Sequence, residues 1–376
     1  MRLDNGAIAE LLALASQHAT YPLQKALRRA SRRAFMWPEE AAELWEQRRS
    51  LTELAGVGPH LERIIGEWLE SPPPLTKPPE IRTGFLSFPT ARAALAKKPA
   101  WARALKGDLQ MHTEWSDGAG SITEMAEAGA LRGYEYIAIT DHAQSLKIAG
   151  GIDPMQLRQQ ADVIADVNDT LAASGETLRV LRSIELNLNP LGEGDMPPAV
   201  LANLDLVLGC FHSALRRKED QTERYVRALR NPTVHILGHP RGRIYNFRLG
   251  LTADWPRVFG VAAELDKAVE IDAYPDRQDL SLDLLRLAKR AGCRISMGTD
   301  AHGPDQLAFI DLALAAALLA GIKADRVLNF MTRSDLLAWA AQTRKGKGGA
   351  NGSGRLDRGA AAHSRHKPRT RDRVLP

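Results

Sequence analysis

The feature that most limits the fold of this chain is an alternation of short apolar segments with longer amphipathic ones. Strand-like segments span 107–112, 136–142, 178–188, 206–213, 235–240, 268–274 and 294–302. Helix-like segments fill the gaps at 121–132, 154–172, 219–230, 253–265, 281–291 and 306–320. Buried strands that are each followed by a helix predict a parallel sheet. Because the region has about 235 residues, a closed (β/α) barrel of seven strands is favoured over an open sheet.

Histidine and acidic residues follow nearly all of these strands. Five of the ten histidines occupy strand ends, and carboxylates accompany them: His112, Asp117, Asp141, His142, Glu185, His212, His239, Asp272, Asp300 and His302. Buried imidazoles without partners would cost on the order of several kcal/mol each. Divalent cations would satisfy them, and nitrogen and oxygen donors without thiolate suit Zn²⁺, Mn²⁺ or Fe²⁺. His235 begins its strand, so we expect it to be structural.

The order of the motifs resembles the PHP (polymerase and histidinol phosphatase) family. The motifs are DLQMHTEWSDG, ITDH, IELN, CFHS, GHPRGR, EIDAYPDRQDL and GTDAH, within residues 106–340. The fifth and sixth are most similar to the PHP domain that follows bacterial family X DNA polymerases. The resemblance implies a distorted seven-stranded (β/α) barrel with two or three divalent metals.

The same resemblance implies which residues hold these metals. Glu185 would bridge two of them. The remaining ligands would be His112 and Asp300 in one site, His212 and His239 in a second, and Asp117, His142 and His302 in a third. The family usually has His-x-His in its first motif, whereas this chain has Gln110 before His112. Because an amide is a weaker ligand than imidazole, we expect the first site to be weaker, differently filled or exchangeable.

This ligand set predicts a hydrolase of phosphate esters. A metal-activated hydroxide would attack phosphorus in line, and a second metal would stabilise the leaving oxygen. Glu185 would hold the metal pair. His239 and His302, where not fully used as ligands, would protonate the leaving oxygen.

Two arginines follow the GHP turn of the fifth motif. Arg241 and Arg243 are candidates for a bidentate clamp on a non-bridging phosphate oxygen. The alternative is that they form ion pairs with Asp272 or Asp276. The sequence leaves both interpretations open, and the first makes Arg243 part of the catalytic set.

Residues 1–72 predict a separate all-α domain. A basic stripe runs along a helix over 21–35, and it is either a solvated face or a DNA-binding surface. The sequence Gly56-Val57-Gly58 between two helices is typical of a helix-hairpin-helix, whose backbone N–H groups approach a phosphate, although a tight helical turn is the alternative. The region resembles the small N-terminal DNA-binding domain of family X DNA polymerases, but no polymerase catalytic domain follows. The predicted DNA contacts are Lys25, Arg29, Arg32, Gly56 and Gly58.

The other segments are predicted as a proline-rich, basic linker at 73–105, the barrel at 106–342 and a disordered basic tail at 343–376. The tail holds ten Lys/Arg and two Asp from Arg344 onward, so the net charge of +5 arises there. It is either solvated or a phosphate-binding arm. Two cysteines, no long apolar run and no signal peptide favour a cytoplasmic protein without a membrane partner. The sequence does not indicate an oligomeric state.

Three functions remain open at this point. The first is action on nucleic acid, as a 3′–5′ exonuclease or 3′-end phosphoesterase of DNA-repair type, and the helical domain and basic tail favour it. The second is a small-molecule phosphatase of histidinol-phosphatase type, which the barrel alone does not exclude. The third is a non-catalytic DNA-binding protein with a metal-stabilised barrel, for which Gln110 is the only support.

Overall fold

Helices occupy the first part of the chain and alternate with short strands over the rest. The computed structural model describes residues 2–345. The helices are α1 Asn5–His18, α2 Leu23–Arg33, α3 Ala41–Glu46, α4 Pro59–Glu70, α5 Phe88–Ala96, α6 Pro99–Arg103, α7 Ile122–Leu131, α8 Pro154–Ala173, α9 Pro198–Leu201, α10 Thr222–Arg230, α11 Trp255–Glu264, α12 Leu282–Ala291, α13 Ile310–Ala320 and α14 Arg333–Lys345. The strands are β1 Gly107–Asp108, β2 Tyr136–Ile139, β3 Arg179–Arg182, β4 Glu185–Asn187, β5 Leu208–Cys210, β6 Ile236–Leu237, β7 Ala268–Asp272 and β8 Arg294–Gly298.

The named strands all pair in parallel, and this confirms the predicted α/β class. They form a sheet of three strands, β1-β2-β3, and a sheet of five, β4-β5-β6-β7-β8. The predicted strand 178–188 is divided, because the backbone at Ile184 leaves β2 and accepts a hydrogen bond from Leu208 on β5 at 3.1 Å. Eight strands therefore replace the predicted seven. Isolated bridges link Met111 to Ala301 and His142 to Glu185, so the two sheets share one polar edge.

The first four helices enclose an apolar cluster of their own. Asp4 caps α1 by accepting a hydrogen bond from the Ala7 N–H at 2.7 Å. Helix α2 buries Leu27 and Ala30 in this cluster and leaves its basic residues exposed. The amphipathic pattern of the sequence is thus what separates the apolar and cationic faces of α2.

One loop of the α/β region docks onto these helices. Tyr245 is buried in the helical cluster, where its hydroxyl lies 3.0 Å from Ser31 Oγ and donates to the Ala9 carbonyl at 3.3 Å. A bidentate ion pair joins Arg82 to Glu10 at 2.7 and 2.8 Å, with both side chains only 5% exposed. The helical region and the α/β region are therefore in direct, well-packed contact.

The segment predicted as a proline-rich linker is extended only in its first part. A 3-10 turn at Glu80–Arg82 and the helices α5 and α6 occupy the rest. Ser87 caps α5, and Trp101 of α6 donates its indole N–H to the Leu314 carbonyl of α13 at 3.0 Å. These local caps and tertiary contacts fold the second part of the predicted linker onto the α/β region.

The predicted tail begins inside a helix. Residues 343–345 are the last turn of α14, which buries Leu336 and Trp339, so the start of the tail is shifted. The remainder of the predicted tail, 346–376, lies outside the described residues. Within the described part of the chain, every helix is too short or too polar to cross a lipid bilayer.

Candidate metal centre

Glu185, the first residue of β4, lies at the centre of the polar edge. Its Oε1 atom is 2.7 Å from Nε2 of both His212 and His239. Its Oε2 atom is 3.2 Å from His112 Nε2 and accepts a hydrogen bond from Gln110 Nε2 at 3.0 Å. Glu185 is fully buried. One carboxylate thus faces side chains that follow three different strands, β1, β5 and β6, and its role as the bridging ligand stays a prediction.

A second group surrounds His112. Its Nε2 atom lies 2.9 Å from Asp300 Oδ1, and Asp300 also forms an ion pair with Arg277. Asp300 and His239 both have left-handed backbone conformations, with φ of +53° and +23°. Such conformations cost on the order of 1–3 kcal/mol in residues other than glycine and cluster at functional sites. Their hydrogen bonds, from Asp300 N to the Gln110 carbonyl and from His239 N to Glu270, hold them in place.

The third predicted group lies at the outer side of the cluster. Asp117 Oδ1 is 3.4 Å from His302 Nε2, 3.6 Å from His142 Nε2 and 4.0 Å from His112 Nδ1. Asp117 is 35% exposed and His302 is 23% exposed, whereas His112 is fully buried. The eight predicted ligands therefore converge, and this third group is the one that solvent reaches.

The donor atoms are close enough to share cations. Four overlapping groups have ligand atoms that all lie within 4.8 Å of one another: His112, Asp117, His142 and His302; His142, Glu185 and His212; Glu185, Cys210 and His239; and His112, Glu185 and Asp300. Buried Nδ1 atoms of His112 and His142 have no hydrogen-bond partner. Unpartnered buried nitrogens beside several carboxylates fit divalent cations, which would use lone pairs that the protein leaves free.

Two members of the cluster have protonation states that suit cation binding, whereas the carboxylates beside His112 and His239 overcome the effect of burial and raise the pKa of those two rings. Burial would raise the pKa of the Glu185 carboxyl, but the imidazoles of His142, His239 and His212 hold it well below its usual range. Burial lowers the pKa of His142 to about 4, so that its ring is neutral near pH 7. An ionised carboxylate and a neutral imidazole are the forms that bind metals.

Gln110 occupies the position where the family pattern has its first histidine. Its amide nitrogen donates to Glu185, and its Oε1 atom is buried without a partner. Only that oxygen could approach a cation while the hydrogen bond to Glu185 persists. The structure is consistent with the expectation of a weaker first site, which stays a prediction.

The predicted phosphate clamp is not formed, and this corrects the sequence interpretation. Arg243 donates to the carbonyls of Thr83 and Gly84 at 3.2 and 2.7 Å, as well as to those of residues 277 and 278. Arg241 pairs with Glu80 at 3.0 Å. Both guanidinium groups are used to tie the GHP loop to the segment around residue 80. The predicted alternative, ion pairs with Asp272 or Asp276, is also not the arrangement found.

Several functional side chains were missed by sequence reasoning. Arg277 pairs with Asp300 and lines the pocket above the cluster. Glu270 lies below it and accepts the His239 N–H at 2.7 Å. The Cys210 sulfur is close to Glu185 and His239, but burial and the nearby carboxylates raise the pKa of its thiol well above the usual range. The signals were present, because Arg277 and Glu270 belong to the sixth motif and Cys210 precedes His212 by two residues on one strand face.

A pocket of about 230 Å³ opens over the metal-binding cluster. Its lining includes Asp117, His142, His212, His239 and His302. Arg243, Arg248 and Arg277 contribute to its wall. A pocket with cationic side chains in its wall, above convergent candidate metal ligands, is the arrangement expected where a phosphoryl group binds.

The predicted structural role of His235 agrees with its surroundings. The ring is fully buried and its Nδ1 atom accepts a hydrogen bond from the Val207 N–H at 3.0 Å. Burial lowers the pKa of His235 to about 3, so the ring is neutral at ordinary pH. It lies at the opposite end of its strand from His239 and outside the metal-binding groups.

The predicted DNA contacts lie on one side of the helical region. Lys25, Arg29 and Arg32 are exposed on α2. Gly56 has φ of +84°, and a Cβ atom there would come within 2.9 Å of Arg33 Cδ, so only glycine is compatible with this turn. Gly58 is the N-cap of α4. The basic stripe and the glycine turn are therefore adjacent through Arg33.

Asp108 lies beneath the cluster and makes stability depend on pH. Its carboxylate accepts hydrogen bonds from the backbone N–H groups of Gln110 and Thr299 at 3.2 and 3.1 Å, and from Thr299 Oγ1 at 2.6 Å. Burial raises the pKa of Asp108 to about 6. Because an unfolded Asp titrates near pH 3.9, the folded state binds this proton more tightly, and the free energy of unfolding falls as pH rises from about 4 to about 6.

Asp108→Asn should remove the fall in the free energy of unfolding that the ionisation of Asp108 causes. The amide keeps the accepting oxygen but never ionises, so we expect unfolding of the variant at pH 8 to cost about 2 to 3 kcal/mol more than that of the wild type. At pH 4 the two proteins should differ little. Urea titrations at both pH values measure this, with the exposed Asp283→Asn as the control. If the free energies of unfolding of variant and wild type differed equally at pH 4 and pH 8, Asp108 would not have the raised pKa assigned to it.

Comparisons with known proteins relate this geometry to described families. Residues 108–291 match the model of the PHP domain. Over 236 residues the chain is 38% identical to the DNA polymerase/3′-5′ exonuclease PolX of Bacillus subtilis, which is 62% of this chain and 41% of that protein. The chain thus spans about two fifths of the length of that relative. A probable phosphatase of Photobacterium profundum is 30% identical over 52% of this chain and 77% of its own length.

Further similarities extend over the same region. A probable phosphatase of Thermoanaerobacter pseudethanolicus is 27% identical over 59% of this chain and 89% of its own length. Among solved structures, histidinol phosphate phosphatase of Lactococcus lactis, in complex with zinc, L-histidinol and phosphate, overlaps 58% of this chain and 94% of its own chain. The sequence identity of that pair is 17% and the TM-score is 0.43.

Proposed function

This chain belongs to the PHP family and is a phosphoester hydrolase, and from that premise we propose that it acts on nucleic acid at a 3′ end, as an exonuclease or 3′-end phosphoesterase. The observation that carries this proposal is the position of Arg32 at the end of α2. Arg32 follows Ser31, whose Oγ atom lies 3.0 Å from the Tyr245 hydroxyl. The backbone N–H of Tyr245 donates to the Asp276 carbonyl at 2.7 Å. Arg32 is thus close to the loop whose Arg277 lines the pocket.

The basic face of α2 extends from that point. Its residues Lys25, Arg28, Arg29, Arg32 and Arg33 are exposed, and within residues 2–345 none of them forms an ion pair with a carboxylate. From Lys25 to Arg32 the helix rises about 10 Å, which is a few phosphates along a nucleic-acid strand. A stripe of unpaired cations that ends beside a phosphoesterase pocket favours a polyanionic substrate over a small monoester.

The similarity to the Bacillus subtilis protein supports the same substrate. That protein is named as a polymerase and 3′–5′ exonuclease, and it is 38% identical to this chain, compared with 27 to 30% for the two probable phosphatases. Because the match covers only part of the Bacillus protein, its activity is a guide to this proposal and nothing more.

The residues of the centre have distinct roles in this proposal. Divalent cations bound to the convergent ligands would activate water and neutralise charge on the phosphoryl group. Glu185, ionised and facing both sides of the cluster, would hold the cation pair. The ring of buried His239 is held by its contact with Glu185, whereas partly exposed His302 can protonate a leaving oxygen. Arg277 would bind a phosphate oxygen in place of the arginines predicted from the sequence.

The proposal is tested on the full chain with Mn²⁺, a 3′-hydroxyl single-stranded oligonucleotide and p-nitrophenyl phosphate. The variant Arg28→Gln/Arg29→Gln/Arg32→Gln should lower kcat/KM for the oligonucleotide by about tenfold or more relative to p-nitrophenyl phosphate. The slope of log(kcat/KM) against log[salt] should become shallower by about 2, since each phosphate contact contributes about 0.7 for single strands. Arg286→Gln/Lys289→Gln/Arg290→Gln on α12 removes the same number of charges and is the control.

The competing functions give different results in this experiment. Turnover of p-nitrophenyl phosphate without any action on the oligonucleotide would replace the proposal with a small-molecule phosphatase. Binding of the oligonucleotide without metal-dependent turnover of either substrate would favour the non-catalytic interpretation. Equal loss in the α2 and α12 variants would show that α2 has no special part in substrate binding.

A further inference from the structure

A short turn beside the pocket presents an aromatic ring to solvent. Ile244 and Arg248 pair as antiparallel bridge residues, with N–H···O=C bonds of 2.8 and 2.9 Å in both directions. Within this turn Tyr245 is anchored in the helical region, whereas Phe247 is 50% exposed and belongs to none of the apolar clusters of the described chain. Ile244 and Arg248 of this turn line the pocket, so Phe247 lies next to the pocket wall, and the Tyr245 anchor holds the turn in place.

Arginine side chains converge on the same rim. Burial lowers the pKa of the Arg248 guanidinium, and the charges of Arg277 and Arg216 lower it further. Arg277 is paired with Asp300, but within the described residues neither Arg216 nor Arg248 has a carboxylate partner within 4.0 Å. Guanidinium groups that are close together without counterions repel one another, so binding of an anion between them would lower the electrostatic energy.

The aromatic ring and the cations form a single surface. The Arg216 guanidinium carbon lies 4.6 Å from the centroid of the Phe247 ring, which is a cation–π contact. Arg248 follows Phe247 in sequence and lines the pocket above the metal ligands. A flat hydrophobic face, backed by a guanidinium and flanked by a second one, has the chemistry that binds a stacked base together with its phosphate.

We propose that Phe247, Arg216 and Arg248 form a subsite for the nucleotide next to the scissile phosphate. Phe247 stacks on its base, and the two arginines bind its phosphodiester. This subsite rests on the proposed action on nucleic acid, and it names the part of the substrate that a small phosphate ester lacks. It also gives the helical region a second role, since the Tyr245 anchor in that region holds the turn that carries Phe247.

The test compares two phosphodiesters of different size on the full-length protein with Mn²⁺. One is a single-stranded trinucleotide, and the other is bis(p-nitrophenyl) phosphate, which has no second nucleotide. The measured quantity is the ratio of their kcat/KM values. Phe247→Ala should lower this ratio about tenfold, in line with the typical contribution of one stacked base, mainly through KM. Phe247→Trp should restore it.

The arginines have a matched control in the same loop. Arg216→Ala and Arg248→Ala should each lower the ratio and reduce its salt dependence. Arg217→Ala removes the same charge from the adjacent residue, which pairs with Glu219 at 3.6 Å, and should leave the ratio at its wild-type value. Circular dichroism and thermal unfolding establish that each variant is folded.

The outcomes separate this subsite from the proposed function. Suppose that wild type cleaves the trinucleotide and that Phe247→Ala leaves the ratio unchanged, or lowers kcat/KM equally for both substrates. The subsite is then wrong and the proposed function stands. If wild type cleaves bis(p-nitrophenyl) phosphate but not the trinucleotide, both are wrong. Loss in Phe247→Ala that Phe247→Trp does not restore would indicate a packing role and overturn the stacking proposal.

Discussion

Glu185→Gln should abolish metal-dependent phosphoester hydrolysis, with kcat/KM for p-nitrophenyl phosphate reduced by about 10³-fold or more. The carboxylate faces His212 and His239 with one oxygen and His112 with the other. Glutamine has the same size, but its amide is a poor ligand, and its NH₂ group would point at a cation or an imidazole. A loss of about 4 kcal/mol of transition-state stabilisation corresponds to that factor.

Metal content provides an independent measurement of the same change. Purified Glu185→Gln should retain fewer equivalents of Mn²⁺ or Zn²⁺ than wild type after dialysis, measured by elemental analysis. Glu176→Gln, an exposed glutamate after α8, is the control and should behave as wild type. Full metal content together with turnover within tenfold of wild type would show that Glu185 is not the bridging ligand. Circular dichroism distinguishes loss of the site from loss of the fold.

Arg277→Met should have the second largest effect, because it removes the cation that faces two buried carboxylates. Arg277 pairs with Asp300 and lies 3.8 Å from Asp272. Breaking a buried ion pair by removing one partner typically costs about 3 to 5 kcal/mol. One third of the Arg277 side chain is exposed, so we expect the low end, about 3 kcal/mol, in the metal-free protein. Bound cations should reduce that cost by compensating Asp300.

The same substitution should lower turnover. Because Arg277 lines the pocket, its loss removes one donor to a phosphate oxygen, and losses of this kind typically reduce kcat by about 10²-fold. Urea unfolding with and without Mn²⁺, and kinetics with p-nitrophenyl phosphate, measure the two effects separately. Arg286→Met, at an exposed pair with Asp283, is the control. If Arg277→Met had the kcat of the wild type, Arg277 would not be the residue that binds the phosphate oxygen.

The metal-binding cluster was largely predictable from sequence because the strands are parallel. Ligands such as His112 and His239 follow short strands, and Glu185 follows β3 at the point where the predicted strand divides. Parallel strands bring these carboxyl ends to one edge. The family resemblance added the grouping of these ligands. The division of strand 178–188 was not predictable, since its apolar alternation continues through Ile184 and only the change of pairing partner from β2 to β5 interrupts it.

The arginines show the opposite case. Arg241 and Arg243 follow the GHP turn at a spacing that suits a phosphate clamp, yet their guanidinium groups bind Glu80 and the carbonyls near residue 84. Arg277 reaches the pocket from the sixth motif. A long, flexible side chain on a loop takes whichever acceptors the fold brings near, and those acceptors come from distant parts of the sequence.

The amino-acid sequence by itself determined the parallel α/β arrangement and the candidate metal ligands, because strand periodicity and the residues at strand ends are local properties. Only the tertiary structure decided how the helical region meets the pocket. Tyr245 and Arg82 join parts of the chain that are far apart in sequence. Tyr245 contacts both Ser31 of α2 and Asp276 next to Arg277, and this packing brings the end of α2 near the pocket loop. Contacts of this kind depend on the shape of both partners, and no spacing within either segment encodes them.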